Sequence, residues 1–459
     1  MRCGNSLGGV TRERAGTTDV AARAEALRES GVVGVAITFV DNSGITRVKS
    51  VPIDRLVAAA RDGVGASPSF DAFLFDDSMA MGSPLATPDG DLRLVLDPAR
   101  LVALHASPGW AWAPADRIGL DGEPYAVDQR GFAREMTERL AAAGLRALVG
   151  IEIEFALGRL DALPDFVPAT SGAGYGMDRL IDTAAFCRDL LVALAAQGIV
   201  VEQLHPEYAS GQFEVSVAAA GPVEAADTSV LVRQTIRAVA RSHGMAASFA
   251  PSVVAGTVGN GGHVHLSVWR GEQNLFAGGP GPAGLTAEAE GFAAGVLREL
   301  PALTAIGSPG VASHLRLRPS HWAGAYQAWG VEAREAAIRF IAGLAGTESG
   351  SANMEVKSFD LAANPYLAIG ALIAAGLGGI ETDARLPEPI VGDPAGGSTA
   401  RRLPESVDAA VDALVASDVL RQAFGAPRFE AFVALRRAEA ALLRDADDDE
   451  IVARTRWVY

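Results

Sequence analysis

Cysteine is nearly absent from this chain of 459 residues: Cys3 and Cys187 are the only two, and they lie far apart. That excludes a disulfide framework and a thiolate metal site, and it points to a reducing, cytoplasmic setting. A long uninterrupted apolar run is missing too. Mean hydropathy is +0.19, yet the greasiest stretch, Tyr366–Ile380, is short for a bilayer and carries four glycines, so it reads as a buried core helix. The opening residues Met1–Thr18 mix Arg, Asn, Gly and Glu without the apolar centre of a secretion signal, and are expected to form a disordered lead-in. Positive charge is also scarce, with 39 Lys and Arg against 55 Asp and Glu, a net charge of −16. That balance argues against nonspecific nucleic-acid binding. It suits a protein that gathers carboxylates around divalent cations.

What is present is ample core material. Hydrophobic residues make up 49% of the chain, and the length suits a large catalytic domain with a smaller one beside it. Asp19–Ser30 reads as a helix closed by Gly31, and Val32–Val40 and Thr46–Val51 read as strands around the turn Asp41-Asn42-Ser43-Gly44. A Gly/Pro-rich region follows from Gly63 to Pro124. Asp128–Ala143 is a helix with an Asp cap and Gly144 behind it. The boundary is placed near Pro124, giving a lead-in at 1–18, a small domain at 19–124 and a large one at 125–459. In the large part, strand-like pieces alternate with helices at Asp182–Gln197, Val223–His243, Thr286–Leu300, Pro365–Ile380, Pro404–Ala416 and Arg428–Arg444, with a Gly/Pro-rich loop at Pro387–Arg402.

Side chains alternate faces along a strand, so residues i, i+2 and i+4 share a side. In Gly150-Ile151-Glu152-Ile153-Glu154-Phe155 the glutamates face one way and the apolar residues the other. His263-Val264-His265-Leu266-Ser267-Val268 sets two imidazoles and a hydroxyl against aliphatic groups. Gln212-Phe213-Glu214-Val215-Ser216 and Met354-Glu355-Val356-Lys357 repeat the pattern. One Glu-x-Glu strand alone is commonly a solvated edge, and a His pair alone is as often structural. Four such pieces together describe a sheet with one face on the core and the other lining a polar cavity. Carboxylates crowded there repel unless cations neutralise them. Oxygen ligands with one imidazole suit Mg²⁺ or Mn²⁺, and a pair of such ions suits phosphoryl transfer. From these residues alone, a two-metal phosphohydrolase is the plainest reading.

Longer segments carry a resemblance. Glu152-Ile153-Glu154-Phe155, His205-Pro206-Glu207-Tyr208-Ala209-Ser210-Gly211-Gln212-Phe213-Glu214, Gly259-Asn260-Gly261-Gly262-His263-Val264-His265-Leu266-Ser267, Arg316-Leu317, Arg334, Arg339, Glu355 and Ala363-Asn364-Pro365-Tyr366 resemble, in order, the motifs of type I-like glutamine synthetases. The likeness is firm from about Gly150 to Ile380 and looser on both sides. It implies an α+β fold, with a small N-terminal β-grasp domain and a large catalytic α/β domain built on a curved antiparallel sheet. It also implies ATP and two or more Mg²⁺ or Mn²⁺ ions per site. One ion would be held by Glu154, Glu207 and Glu214, the other by Glu152, His263 and Glu355. His265 and Ser267 would touch the nucleotide. Arg334 and Arg339 would meet the phosphates as catalytic groups, and Arg316 would hold the substrate carboxylate. Glu154, Gly259, Trp322 and Lys357 would also line the substrate site. Family members phosphorylate the γ-carboxylate of glutamate and displace the phosphate with an amine. Their sites form between adjacent subunits of a ring, which implies a homododecamer.

The departures bear on the acceptor. Val258 stands where ammonia-using members have Asn, and Trp322 where they have a Glu that assists proton removal. Lys357 and Asn353 replace arginines, and Lys is no neutral swap for a bidentate Arg. The run from Trp322 to Gly330, then Arg334-Glu335-Ala336, resembles the FluG/NodGS-like branch, while Ala333 departs even from that branch. Pro387–Arg402 has no tyrosine, so the adenylylation site of some bacterial enzymes is missing. Phe70-Asp71-Ala72 matches the family's ammonium-site aspartate loop, which reaches a neighbouring subunit, only in its first two residues. A plain loop aspartate is an equal reading. Three functions compete: a γ-glutamyl ligase for an organic amine, an ammonia-using glutamine synthetase, and a scaffold that has lost turnover. The complete set of metal-type residues argues against the last.

Overall fold

The computed structural model describes residues 17–397 and 399–459. The lead-in expected over 1–18 lies outside the described residues, apart from Thr17 and Thr18, which open the helix Thr17–Glu29. Among the described residues no helix is long and apolar enough to cross a membrane.

Two sheets organise an α+β fold. The first comprises β1 (Gly34–Val40), β2 (Thr46–Pro52), β3 (Val64–Ala66), β4 (Leu92–Leu96), β5 (Val102–Ala103) and β6 (Trp110–Gly119), in the order β2-β1-β6-β4-β3 with β5 on β6. Four of these strands, β3 to β6, lie inside the stretch from Gly63 to Pro124 that the sequence marks only as Gly/Pro-rich. The turn residues punctuating that stretch hide short strands such as Leu92–Leu96, whose alternate residues are buried.

The second sheet is built from β7 (Arg146–Arg159), β8 (Val201–Pro206), β9 (Gln212–Val217), β10 (Met245–Ser248), β11 (Val264–Arg270), β12 (Gln273–Asn274), β13 (Tyr326–Val331), β14 (Ala336–Ile341), β15 (Asn353–Val356) and β16 (Arg401–Arg402). Its order is β16-β13-β14-β15-β11-β7-β9-β8. All pairings are antiparallel except β13 with β14. Ile151, Ile153 and Phe155 on β7, Phe213 and Val215 on β9, Val264, Leu266 and Val268 on β11, and Met354 and Val356 on β15 are all buried. The period-2 reading of each strand therefore holds.

Helices Pro222–Ser242, Ala287–Gly307 and Pro365–Glu381 cover the apolar face. The second outruns its expected end at Leu300 and continues through Pro301. Proline removes the N–H that would bond the carbonyl four residues back. Here the Gln327 side chain donates to Leu297 O at 2.9 Å, satisfying that orphan. The apolar run of residues 366–380 is the third helix and is buried almost throughout.

The small sheet is tied to the larger body at its first turn. Asn364 Nδ2 caps Val40 O and Asp41 O at 3.1 and 3.0 Å. Gly44, at φ +80°, lies so close to Ala362 O that a Cβ would sit 2.0 Å from it.

The two long core helices meet through glycine. A Cβ on Gly379 would lie 2.1 Å from Gly291 O, and one on Gly295 would lie 2.3 Å from Ala375 O. Gly379→Ala is expected to force the helices apart and to lower stability by ~1–3 kcal/mol, read as a drop in the thermal midpoint by circular dichroism. Gly82→Ala, with nothing within 4 Å of the new methyl, should leave that midpoint unchanged.

Candidate active site

The register of the second sheet assembles the polar face. On β7 and β9, Glu154 stands directly opposite Glu214, and on β8 His205 is also opposite Glu214. On the other side, His265 of β11 pairs with Gly150 and with Glu355 of β15, and Glu355 with Arg339 of β14. Like charges directly opposite are unfavourable in a sheet, so the Glu154–Glu214 pair marks a place built for a counter-charge.

Two tight groups result. In one, Glu152, His265 and Glu355 bring one ligand atom each within 4.8 Å of one another. His263 joins this group, with Nδ1 at 2.8 Å from Glu152 Oε2 and 3.3 Å from Glu355 Oε1. In the other, His205, Glu207 and Glu214 are gathered in the same way. This partition differs from the expected one, which set Glu154 with Glu207 and Glu214. Glu154 Oε2 is taken by Gln212 Nε2 at 3.0 Å and by the Gly261 N–H at 2.7 Å, which holds it back toward His263. His205 takes the third place. Its signal was available, because His205 and Glu207 stand two apart in an extended segment.

The protonation pattern follows. Burial raises Glu207 to about 7, with the charges of Glu154 and Glu214 adding to it against a hydrogen bond from the Tyr175 hydroxyl. Burial also opposes ionisation of Glu152, yet hydrogen bonds from His263 and His265 hold it well below the usual carboxylate range. Glu355 is likewise held down despite burial, chiefly by Lys357 and His263. The Glu214 hydrogen bond raises His205. Burial works against the charge of His265, but Glu152 brings it up to about 9. Five carboxylates and three imidazoles, all hard-oxygen or nitrogen donors, fit divalent cations of the magnesium or manganese type.

The groups line a cavity of about 570 Å³. Arg334 and Arg339 stand on its wall. Arg339 bridges Glu332, at Nε–Oε2 3.0 Å, and Glu355, at 3.2 Å. Arg334 is exposed and makes no ion pair among the described residues. Lys357 Nζ donates to Glu355 at 3.1 Å. Arg316 is buried, and burial lowers its pKa. It contacts His263 Nε2 at 3.1 Å and donates to Lys357 O at 2.9 Å. Gly259 packs on it so closely that a Cβ would lie 3.0 Å from the Arg316 side chain. Two expected nucleotide contacts stand off this cavity. His265 bonds Glu152 and Asn353, each at 2.9 Å, and the Ser267 hydroxyl accepts from Trp269 Nε1 at 2.9 Å.

An aromatic row continues the wall. Tyr175 lies against His205 and Tyr208 with centroids 5.3 and 5.1 Å apart, and Tyr208 against Trp322 at 5.1 Å. The Tyr175 hydroxyl donates to Glu207 at 2.6 Å. Tyr175 sits in an irregular loop at φ +54° and carries no periodic signal, so sequence reasoning missed it. Arg179 was missed too. Fully buried, it donates to Ala209 O and Gln212 O, both at 2.7 Å, and to Glu207 O, fixing the loop that carries Glu207.

Asp71 does not reach outward. It is buried, paired with Arg117 at 2.7 Å and accepting from Gln129 Nε2 at 2.9 Å, inside its own chain. The plain structural reading of that aspartate is the one the geometry supports.

Residues 126–453 match the model of the glutamine synthetase catalytic domain. The chain is 53% identical over 442 residues to the gamma-glutamylpolyamine synthetase GlnA3 of Streptomyces coelicolor, covering 94% of this chain and 95% of that one. It is 31% identical to the glutamine synthetase of Pyrococcus abyssi, covering 88% and 89%. Among solved structures, a novel glutamine synthase homolog superposes with TM-score 0.85 at 31% identity, covering 93% of this chain and 99% of that one. A GmaS/ADP complex does so at 0.82 and 30%, covering 92% and 96%.

Because Asp71 neutralises a buried guanidinium, Asp71→Asn is expected to destabilise the protein by about 3 kcal/mol in denaturant unfolding, with no change in the KM of any amine. A variant that folds as stably as the parent but has altered amine kinetics would instead return Asp71 to a substrate site.

Proposed function

The chain belongs to the glutamine synthetase family, and on that basis we propose that it is an ATP-dependent ligase joining the γ-carboxylate of glutamate to an organic amine. The observation that carries the amine is the replacement of the family's acidic acceptor residue by Trp322. Its indole continues the row from Tyr175 and Tyr208 and is 47% exposed at the cavity mouth. Ammonium has no apolar surface to set against such a wall, whereas a methylene chain does. The 53% identity to a relative named for polyamine γ-glutamylation supports a polyamine as the acceptor.

In this reading glutamate attacks the γ-phosphorus of ATP and ADP leaves; the acceptor's ammonium gives one proton to solvent, the free amine attacks the acyl carbon, and inorganic phosphate departs as the nitrogen's second proton is lost. Glu154, Glu207 and Glu214, with His205, would hold one divalent ion, and Glu152, His263 and Glu355 another. Bound there, such ions would supply positive charge to offset that of the phosphates. The protein's share is positioning. Arg334 and Arg339 offer guanidinium forks to the phosphates, and Arg316 and Lys357 hold the glutamate side. Excluding water from the acyl phosphate falls to the aromatic row. We further infer a small domain at 19–124, a catalytic domain at 125–459, a cytoplasmic setting and the dodecameric ring of the family with sites between adjacent subunits. The exposed faces of Tyr175 and Tyr208, at 51% and 46%, are surface that a substrate and a neighbour can cover.

With ATP, Mg²⁺ and glutamate, phosphate release is expected to depend on an organic amine and to be faster with polyamines than with ammonium. Equal turnover of ammonium and every organic amine would remove the acceptor assignment. Trp322→Ala should raise the KM of the organic amine about tenfold, as loss of a partly desolvated aromatic contact does, and leave the KM of ATP unchanged. Titration with Mn²⁺ followed by electron paramagnetic resonance should saturate at two ions per chain in the parent and at one in Glu152→Gln.

A further inference from the structure

Beyond Trp322 the reactive cavity joins a second recess of about 430 Å³, and the two share Ser320, Trp322 and Arg334 in their walls. Glu335 lies in this recess and is only 7% exposed. Its Oε1 accepts the Trp322 N–H at 2.8 Å, while its Oε2 is buried and has no hydrogen-bond partner among the described residues. A buried carboxylate oxygen without a donor is unfavourable by roughly 1–3 kcal/mol or more. Natural sequences retain such a group mainly where something else supplies the donor. Asp393 is exposed at the rim, its Oδ2 accepting from the Ser320 hydroxyl at 2.6 Å and its Oδ1 from the Ala395 N–H at 2.8 Å. Glu332 lines the same wall but is already engaged by Arg339.

Trp322 is the partition between the two spaces. It holds φ at +53°, in the left-handed region that disfavours a bulky residue, and the Glu335 hydrogen bond on its N–H helps to keep it there. An outlier of this kind persists only where its surroundings enforce it, and it is found disproportionately at ligand clamps.

We propose that this recess receives the distal ammonium of a di- or polyamine acceptor whose first nitrogen lies in the reactive cavity, with Glu335 making the ion pair, Asp393 assisting from the rim and the Trp322 indole seating the methylene chain between them. This rests on the amine-ligase reading above and adds the acceptor's length and second charge to it. Nitrogens several methylenes from a reaction centre stay protonated at neutral pH, as a lysine ammonium does. Such a group supplies the donors that Glu335 Oε2 lacks, and it is attracted to an aromatic face along the way. Arg334 shares the wall but faces two carboxylates that make no ion pair among the described residues. The same two carboxylates repel an anion, so a phosphate or a second acid substrate is a poor occupant.

The test compares spermidine with butylamine as acceptors for the parent, Glu335→Gln and Asp393→Asn, each as the full chain with ATP, Mg²⁺ and glutamate. Glutamine keeps an acceptor for the Trp322 N–H, so the loop conformation is retained in the first variant. Asp393 is exposed, so the second variant folds in any case. Glu335→Gln should raise the KM of spermidine tenfold or more, Asp393→Asn a few-fold, with kcat within twofold. The KM values of butylamine, glutamate and ATP should stay as in the parent. The proposal is overturned if both amines are affected alike, or if neither variant moves spermidine. Calorimetry of spermidine binding separates this result from the ligase reading. Should no amine support phosphate release, the ligase reading fails, while spermidine binding that Glu335→Gln abolishes would still uphold the recess. Absence of any spermidine binding by the parent overturns the recess as well.

Discussion

One constraint organises this molecule: an antiparallel sheet whose register sets carboxylate against carboxylate. Glu154 opposite Glu214, and Glu355 beside His265 and Arg339, are consequences of strand pairing. The apolar side of the same strands is packed so completely that no one-residue slip is tolerated, since a slip would turn every glutamate into the core. Burial of Ile153, Phe155, Phe213, Val215 and Met354 therefore holds the repulsive arrangement in place. The core imposes the site, and the site strains the sheet unless cations fill it.

That division explains why so many buried charges surround the cavity. Arg316, Arg339 and Lys357 sit within reach of the carboxylates, each tied to a backbone carbonyl or a carboxylate oxygen. Arg339 and Lys357 hold Glu355 in place before any ligand arrives, which is how a ligase that relies on positioning gains its rate. Arg179 does the same for the Glu207 loop from outside the cavity, through three main-chain carbonyls. The small sheet plays a quieter part. Asp71, Arg117, Asp128 and Gln129 form a closed buried network there, so its charge is spent within the chain.

The acceptor end contrasts with the metal end. Where the cluster is crowded with charge, the wall from Tyr175 through Tyr208 to Trp322 is aromatic and half open, and past it Glu335 waits with an unpaired oxygen. Phosphoryl transfer to a carboxylate is common to every member, and the nucleophile alone differs.

Much of this was legible in the linear chain because strands encode their faces with a period of two. Glu152 and Glu154, His263 and His265, and Glu355 and Lys357 each declared a polar side against a core side, and six motif residues converge as that pattern implied. Capping and apolar periodicity likewise placed the helices Gln129–Ala142 and Pro365–Glu381 to within a residue or two. Three kinds of fact were out of reach of any local pattern. Short strands such as Leu92–Leu96 were masked by the glycines and prolines around them. The roles of Tyr175 and Arg179 depend on loops with no period. Which glutamate keeps company with which imidazole is set by cross-strand register and by Gln212 and Gly261 drawing Glu154 aside. Periodicity is a property of neighbours along the backbone and can be read there. Proximity between strands, and the unpaired oxygen of Glu335, arise only when distant segments pack, because packing alone settles which donors reach which acceptors.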